Sequence, residues 1–189
     1  LLKSNPFVGL VLLNAVDLVN YLLVGLMFTA VFWFTRRNKP RWSAVAMAMS
    51  WLSILLHFLT DISFRMFSLA GQFADATQSL KQTYISSGEA LLAMNNPTVV
   101  ISGPGPMLSL FLIFASGLTF SILLWNKPPF PRGTALVGII ANSIGLLFFV
   151  TVFISVEWGW IPIPLNALFR IPWYILLILG LYRLWRVEE

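Results

Sequence analysis

Ser50, Ser53, His57, Asp61 and Arg65 follow one another at intervals of three or four residues, the spacing that puts side chains on a single helix face. An imidazole one turn from a carboxylate is the equipment of a proton relay, and a guanidinium one turn further can hold an anion or close an ion pair. Asn14, Asp17 and Tyr21 share a face in the same way, and Arg170 stands in an apolar stretch just before Pro172. Each of these groups needs an explanation, because an ionisable side chain inside an apolar helix is costly unless it has a partner or a task.

Other chemistry is poorly supplied. With no Cys and one His, the chain has no ligands for disulfides, iron–sulfur clusters, or multi-histidine zinc or haem sites, so neither a metal nor a cofactor is expected. The Ser53…His57 spacing resembles the Ser-x-x-x-His element of intramembrane metal-dependent hydrolases, but those need further histidines to hold zinc. Gly103-Pro104-Gly105-Pro106 lacks the Lys-Ser/Thr of a phosphate loop and reads as a turn. Ala44, Ala46, Ala48, Ser116, Gly117, Gly138 and Gly145 read as places of close helix approach.

The elements that position these groups follow from composition. Of 189 residues, 58% are hydrophobic and 10% charged, whereas a soluble domain carries roughly a quarter charged residues. A water-exposed surface cannot be built from that supply, and the apolar runs are long enough to cross a ~30 Å hydrocarbon core. The formal charge is +5, from twelve Lys and Arg against seven Asp and Glu. Most of the basic residues end apolar runs and none interleaves with aromatics as on a nucleic-acid surface, so nucleic acid is excluded as a partner.

The expected fold class is all-α, an integral membrane helical bundle forming a single transmembrane domain. Five spans are read, over about residues 10–35, 42–62, 107–125, 135–156 and 165–185, on the ~20-residue requirement for a spanning helix. Arg36 to Arg41, Lys127 with Arg132, and Arg183 with Arg186 fall on one side by alternation, which the positive-inside rule makes cytoplasmic. That gives N-out and C-in and puts Lys3, Asp75, Lys81, Glu89 and Glu157 outside. The connection 67–106 carries Phe73, Leu80, Tyr84 and Leu91 at helical spacing against Asp75, Gln78, Lys81 and Gln82. It is read as an amphipathic outer segment, either a lid or a cover resting on headgroups.

Counted inward at 1.5 Å per residue, Asp17 and Asp61 fall near the outer boundary, His57 a turn below it, and Arg170 on the order of 10 Å below it. One reading is a polar pocket in the outer half lined by Asp17, His57, Asp61 and Arg170, with Asn142 or Ser143 of the fourth span deeper. The other is structural: Asp61 with Arg65 as an ordinary i,i+4 pair, Asp17 with Arg170 as an interhelical ion pair, and His57 as a hydrogen-bonded interior residue.

The apolar span from Asp17 ending in the basic turn at Arg37, the run Trp125-Asn-Lys-Pro-Pro-Phe-Pro-Arg-Gly133 before a Gly-rich span, and the ending Phe169-Arg-Ile-Pro-Trp-Tyr through Gly180-Leu-Tyr-Arg183 together resemble a bacterial family of polytopic membrane proteins of unknown function. That family has about six spans, so the resemblance implies that a first helix, or most of one, is missing here. It implies a location in the bacterial plasma (inner) membrane and no particular activity.

Two classes of function follow. The favoured one is non-enzymatic: an accessory or scaffolding subunit of a membrane complex, partnered by other membrane-protein subunits, or a binding protein for lipid or another hydrophobic ligand. The alternative is a small membrane enzyme or proton-coupled transporter that uses the polar pocket.

Overall fold

A computed structural model describes residues 8–9, 15–94, 104–155, 158–159 and 161–187. Residues 10–14 of the first expected span, and with them Asn14, lie outside the described residues, as do Lys3, Glu157 and residues 95–103 of the outer segment. Among the described residues seven helices follow in order: α1 (Ala15–Thr35), α2 (Pro40–Thr60), α3 (Ser63–Asp75), α4 (Gln78–Met94), α5 (Pro104–Leu123), α6 (Arg132–Ile154) and α7 (Pro162–Val187). No strand occurs among the described residues. Five helical stretches, containing α1, α2, α5, α6 and α7, are long and apolar enough to cross a membrane, so the protein is an all-helical bundle suited to a bilayer.

Helix ends follow local chemistry. Pro40 opens α2 in its first turn, where a missing backbone N–H costs nothing. The same holds for Pro104, so the last three residues of the run expected as a turn, Pro104-Gly105-Pro106, instead begin α5. Pro131 precedes α6 as its N-cap residue with an extended backbone.

Neighbours in the bundle are α1 with α2, α2 with α5, α5 with α6, and α6 with α7, while α1 touches α5 and α7 only lightly. The close approach of α2 and α5 rests on a row of small residues, Ser43, Ala46, Ser50 and Ser53, all buried. Such a row lets two backbones come together and hydrogen-bond across the interface. Ser116 Oγ donates to the Ala46 carbonyl at 2.7 Å, and Ser53 and Ser109 exchange bonds, each hydroxyl donating to the other's carbonyl at 2.7 and 2.8 Å. Ser50 and Ser53, expected on a polar stripe with His57, therefore serve packing.

Gly138 and Gly145 on α6 let large rings through in the same way. A methyl group at Gly138 would overlap Trp173 and Ser121, and one at Gly145 would overlap Phe114. Around Gly138 sits the centre of the core. Trp173 is fully buried, and Phe28 meets Trp173 and Phe120 edge-on with ring centroids 5.8 and 5.3 Å apart.

The basic turns between α1 and α2 and between α5 and α6, with the end of α7, lie at one end of the bundle, here the basic end. The other, the hairpin end, carries α3 and α4. The amphipathic helix expected across residues 73–91 is broken at Ala76 and Thr77, and its two halves fold back as a helical hairpin that packs principally on itself.

Candidate functional site

The helix carrying Asp61 stops there. Asp61 adopts an extended backbone as the C-cap of α2, and its carboxylate accepts the Ser63 N–H at 2.8 Å, which starts α3. Arg65 lies beyond the break, and its Nη2 donates to the Leu59 carbonyl at 3.1 Å. The expected Asp61–Arg65 helix pair is thereby replaced by two backbone contacts, because i,i+4 proximity requires an unbroken helix.

His57, one turn before the break, lies flat on Tyr21 of α1, with ring centroids 3.9 Å apart and planes 7° from parallel. Its buried Nε2 has no hydrogen-bond partner, contrary to the expectation of a hydrogen-bonded interior histidine. Asp17, one turn before Tyr21, is exposed in the first turn of α1, a favourable place for a carboxylate beside the helix N-terminus. Asp17 and Asp61 are both close enough to act electrostatically on His57.

Arg170 is half-buried on α7, eight residues in from Pro162, or about 12 Å along the helix. Its Nε–H donates to the Tyr174 phenol one turn later, and its guanidinium stands over the rings of Phe114 and Tyr174, 5.1 and 5.3 Å from their centroids. The expected Asp17–Arg170 ion pair gives way to this aromatic seating, in which ring quadrupoles and a phenol oxygen offset the charge. Tyr21 feels the charge of Arg170 and lies against the Ser109 hydroxyl.

The hairpin end thus gathers Asp17, Tyr21, His57, Asp61, Arg170 and Tyr174. Asn142 stands apart: it is buried at the α5–α6 contact, its Nδ2 donates to the Gly138 carbonyl at 2.7 Å, and its side chain fills the space over Gly117. Asn166 ties α7 to the neighbouring Ala141 carbonyl. Asn166 joins two helices by a hydrogen bond, as polar side chains do between apolar spans, whereas Asn142 bonds within its own helix and meets α5 by packing over Gly117.

Tyr21 and Tyr174 belong to the cluster although neither is among the expected pocket residues Asp17, His57, Asp61, Arg170 and Asn142. The signal was available, since Tyr21 follows Asp17 by four positions and Tyr174 follows Arg170 by four.

From Tyr174 a groove of about 570 Å³ runs between α1 and α7, walled by Leu23, Val24, Met27, Ile178 and Leu181, with Asn20 at its side and Tyr182 also lining it. It occupies the seam where α1 and α7 touch only lightly. Among the described residues no group of three or more His, Cys, Asp and Glu is arranged to hold a metal ion. What the arrangement offers is an apolar slot that includes the Tyr174 phenol in its lining, with the Arg170 guanidinium bonded to that phenol. Comparison of the chain with family models, curated proteins and solved structures finds no match.

Proposed function

We propose that this protein binds a lipid or another amphiphilic molecule in the groove between α1 and α7, with the polar head of the ligand directed to Tyr174 and Arg170. The observation that carries the reading is the seating of Arg170. Its charge is met by a phenol and two ring faces instead of a carboxylate, so its terminal N–H groups can still receive an anionic or carbonyl oxygen. An apolar slot with a few convergent polar groups is the usual form of a small-molecule site. In this reading the membrane is the bacterial inner membrane, with the basic end in the cytoplasm, the N-terminus out and the C-terminus in.

The test is native mass spectrometry of protein released gently from its own membrane, followed by extraction and identification of what it carries. A ligand at one per chain, lost in Arg170→Gln and in the groove-filling Ile178→Trp, supports the proposal. A chain that carries nothing at fixed stoichiometry, or a ligand retained in both variants, overturns it.

A second reading, an accessory subunit of a membrane complex, draws support from the hairpin of α3 and α4, which projects Phe64, Phe67, Leu80 and Leu92 as exposed side chains. The same experiment separates the two, because a subunit would leave the membrane with another protein at fixed stoichiometry.

A further inference from the structure

At the basic end a second groove, of about 520 Å³, lies between the start of α2 and the end of α5. Lys39 and Lys127 border it, Trp42 and Trp125 flank it, and Ile122 and Leu123 form its floor. Thr119 also lines it, but its hydroxyl donates to the Ala115 carbonyl at 2.8 Å, so the charged donors lining the groove are the two lysines.

Both lysines stand on braced turns. The Lys39 N–H donates to the Thr35 carbonyl at 3.1 Å, and Ser43 Oγ donates to Thr35 Oγ1 at 3.0 Å across the same turn. The Lys127 N–H donates to the Leu124 carbonyl and the Phe130 N–H returns to the Lys127 carbonyl, at 3.1 and 2.9 Å. Phe130 is buried against Gly180 and Phe34, which pins that turn to the bundle.

Among the described residues, charge at this end has one sign. Arg36, Arg37, Lys39, Arg41, Lys127, Arg132, Arg183 and Arg186 gather here, whereas the acidic residues among those described, Asp17, Asp61, Asp75 and Glu89, lie on or next to the hairpin end. Several of the basic neighbours are engaged: Arg36 lies 3.3 Å over the Trp33 ring, Arg132 donates to Asn126 and Arg186 to Tyr182. Neither lysine side chain has a hydrogen-bonding or ionic partner among the described residues.

We infer that this groove is a binding site for an anionic membrane phospholipid, whose phosphate is answered by Lys39 and Lys127 and whose acyl chain lies on Ile122 and Leu123. Two unpartnered ammonium groups call for an anion, and an apolar floor between tryptophans of the interfacial type calls for a chain attached to it. A free phosphate has no use for the floor. A zwitterionic lipid brings its own ammonium and offsets only part of the lysine charge. The site is independent of the groove between α1 and α7.

The test is a native mass spectrometry titration in mixed detergent micelles, with phosphatidylglycerol and phosphatidylcholine of identical acyl chains as probes. The intact protein is expected to retain phosphatidylglycerol about tenfold better, on the scale of the attraction of two lysines for anionic headgroups. Lys39→Gln with Lys127→Gln is expected to abolish the preference, each single change to remove part of it, and Arg186→Gln to leave it. A thermal melt checks that the variants stay folded; if the double variant does not, the two single variants decide. Ile178→Trp must leave the preference intact, which separates this site from the other groove. An equal preference in the lysine variants, or displacement of the lipid by millimolar inorganic phosphate, overturns the inference.

Discussion

The imidazole of His57 lies on the phenol ring of Tyr21 in near-parallel contact, centroid to centroid 3.9 Å, and this pair joins α1 to α2 at the hairpin end. A stacked aromatic pair contributes about 0.5–1.5 kcal/mol beyond the area it buries. The contact uses ring faces, and it leaves Nε2 of His57 unsatisfied. His57→Phe is therefore expected to melt close to the parent, because it keeps the stack and removes the orphaned nitrogen. His57→Ala is expected to be less stable by roughly the stacking energy plus the lost burial. Thermal unfolding of both variants in one detergent checks this, and a His57→Phe protein as unstable as His57→Ala would show that the nitrogens, not the ring face, hold the helices.

A methyl group added at Gly138 has nowhere to go, since the indole of Trp173 and the Ser121 hydroxyl already occupy its position. Overpacking a rigid ring costs about 1–3 kcal/mol, so Gly138→Ala is expected to destabilise by that amount. Trp173→Phe should recover part of the loss when combined with it, giving a measurable coupling in a double-mutant cycle. Gly133→Ala is the control: nothing lies within 4 Å of its added carbon, and the change should be neutral or mildly stabilising.

These contrasts show what the sequence could and could not tell. Apolar runs bounded by basic turns and prolines are legible because the membrane fixes both their length and their flanks. Gly138 and Ala46 could be recognised as sites of close approach, but which side chain fills each space depends on register between helices, which no local pattern records. The break at Asp61 was hidden because Asp61 and Arg65 fit helical spacing equally well; only the use of the Asp61 carboxylate on the Ser63 N–H decides it. For Arg170 the expectation of an acidic partner assumed that charge must answer charge. The aromatic residues around it, Phe114 and Tyr174, meet the need differently.

Ser53 and Ser109 form a reciprocal clamp, each hydroxyl on the other's carbonyl and the two oxygens 3.2 Å apart. Hydrogen bonds between spanning helices average about 0.6 kcal/mol and reach about 1.7. Ser53→Ala and Ser109→Ala should each cost an amount in that range, and the double variant should cost about their sum, because each hydroxyl bonds a backbone carbonyl that the other substitution leaves in place. A double variant that costs clearly less than the sum in unfolding measurements would mean that the two hydroxyls are coupled through their 3.2 Å contact.

The hairpin of α3 and α4 should be the least protected part of the described structure. Within it Ser63 and Gly88 alone are buried, and its internal contact is formed by Met66, Leu69, Phe73 and Tyr84 around Gly88. Free energies of local opening track buried apolar contact, so few such contacts mean a low cost of opening. Hydrogen exchange followed by mass spectrometry in detergent should therefore show amides of α3 and α4 exchanging well ahead of those in α5 and α6. Gly88→Leu sharpens the test: a carbon added at Gly88 already meets Leu69 at 3.3 Å, so the larger side chain must push the two helices apart. Exchange should then rise across the hairpin and stay unchanged in α5 and α6, as expected of a unit that packs principally on itself. A matching rise in α5 would show that the hairpin braces the bundle, which would make it a structural cover and remove the support it lends to a role in partner binding.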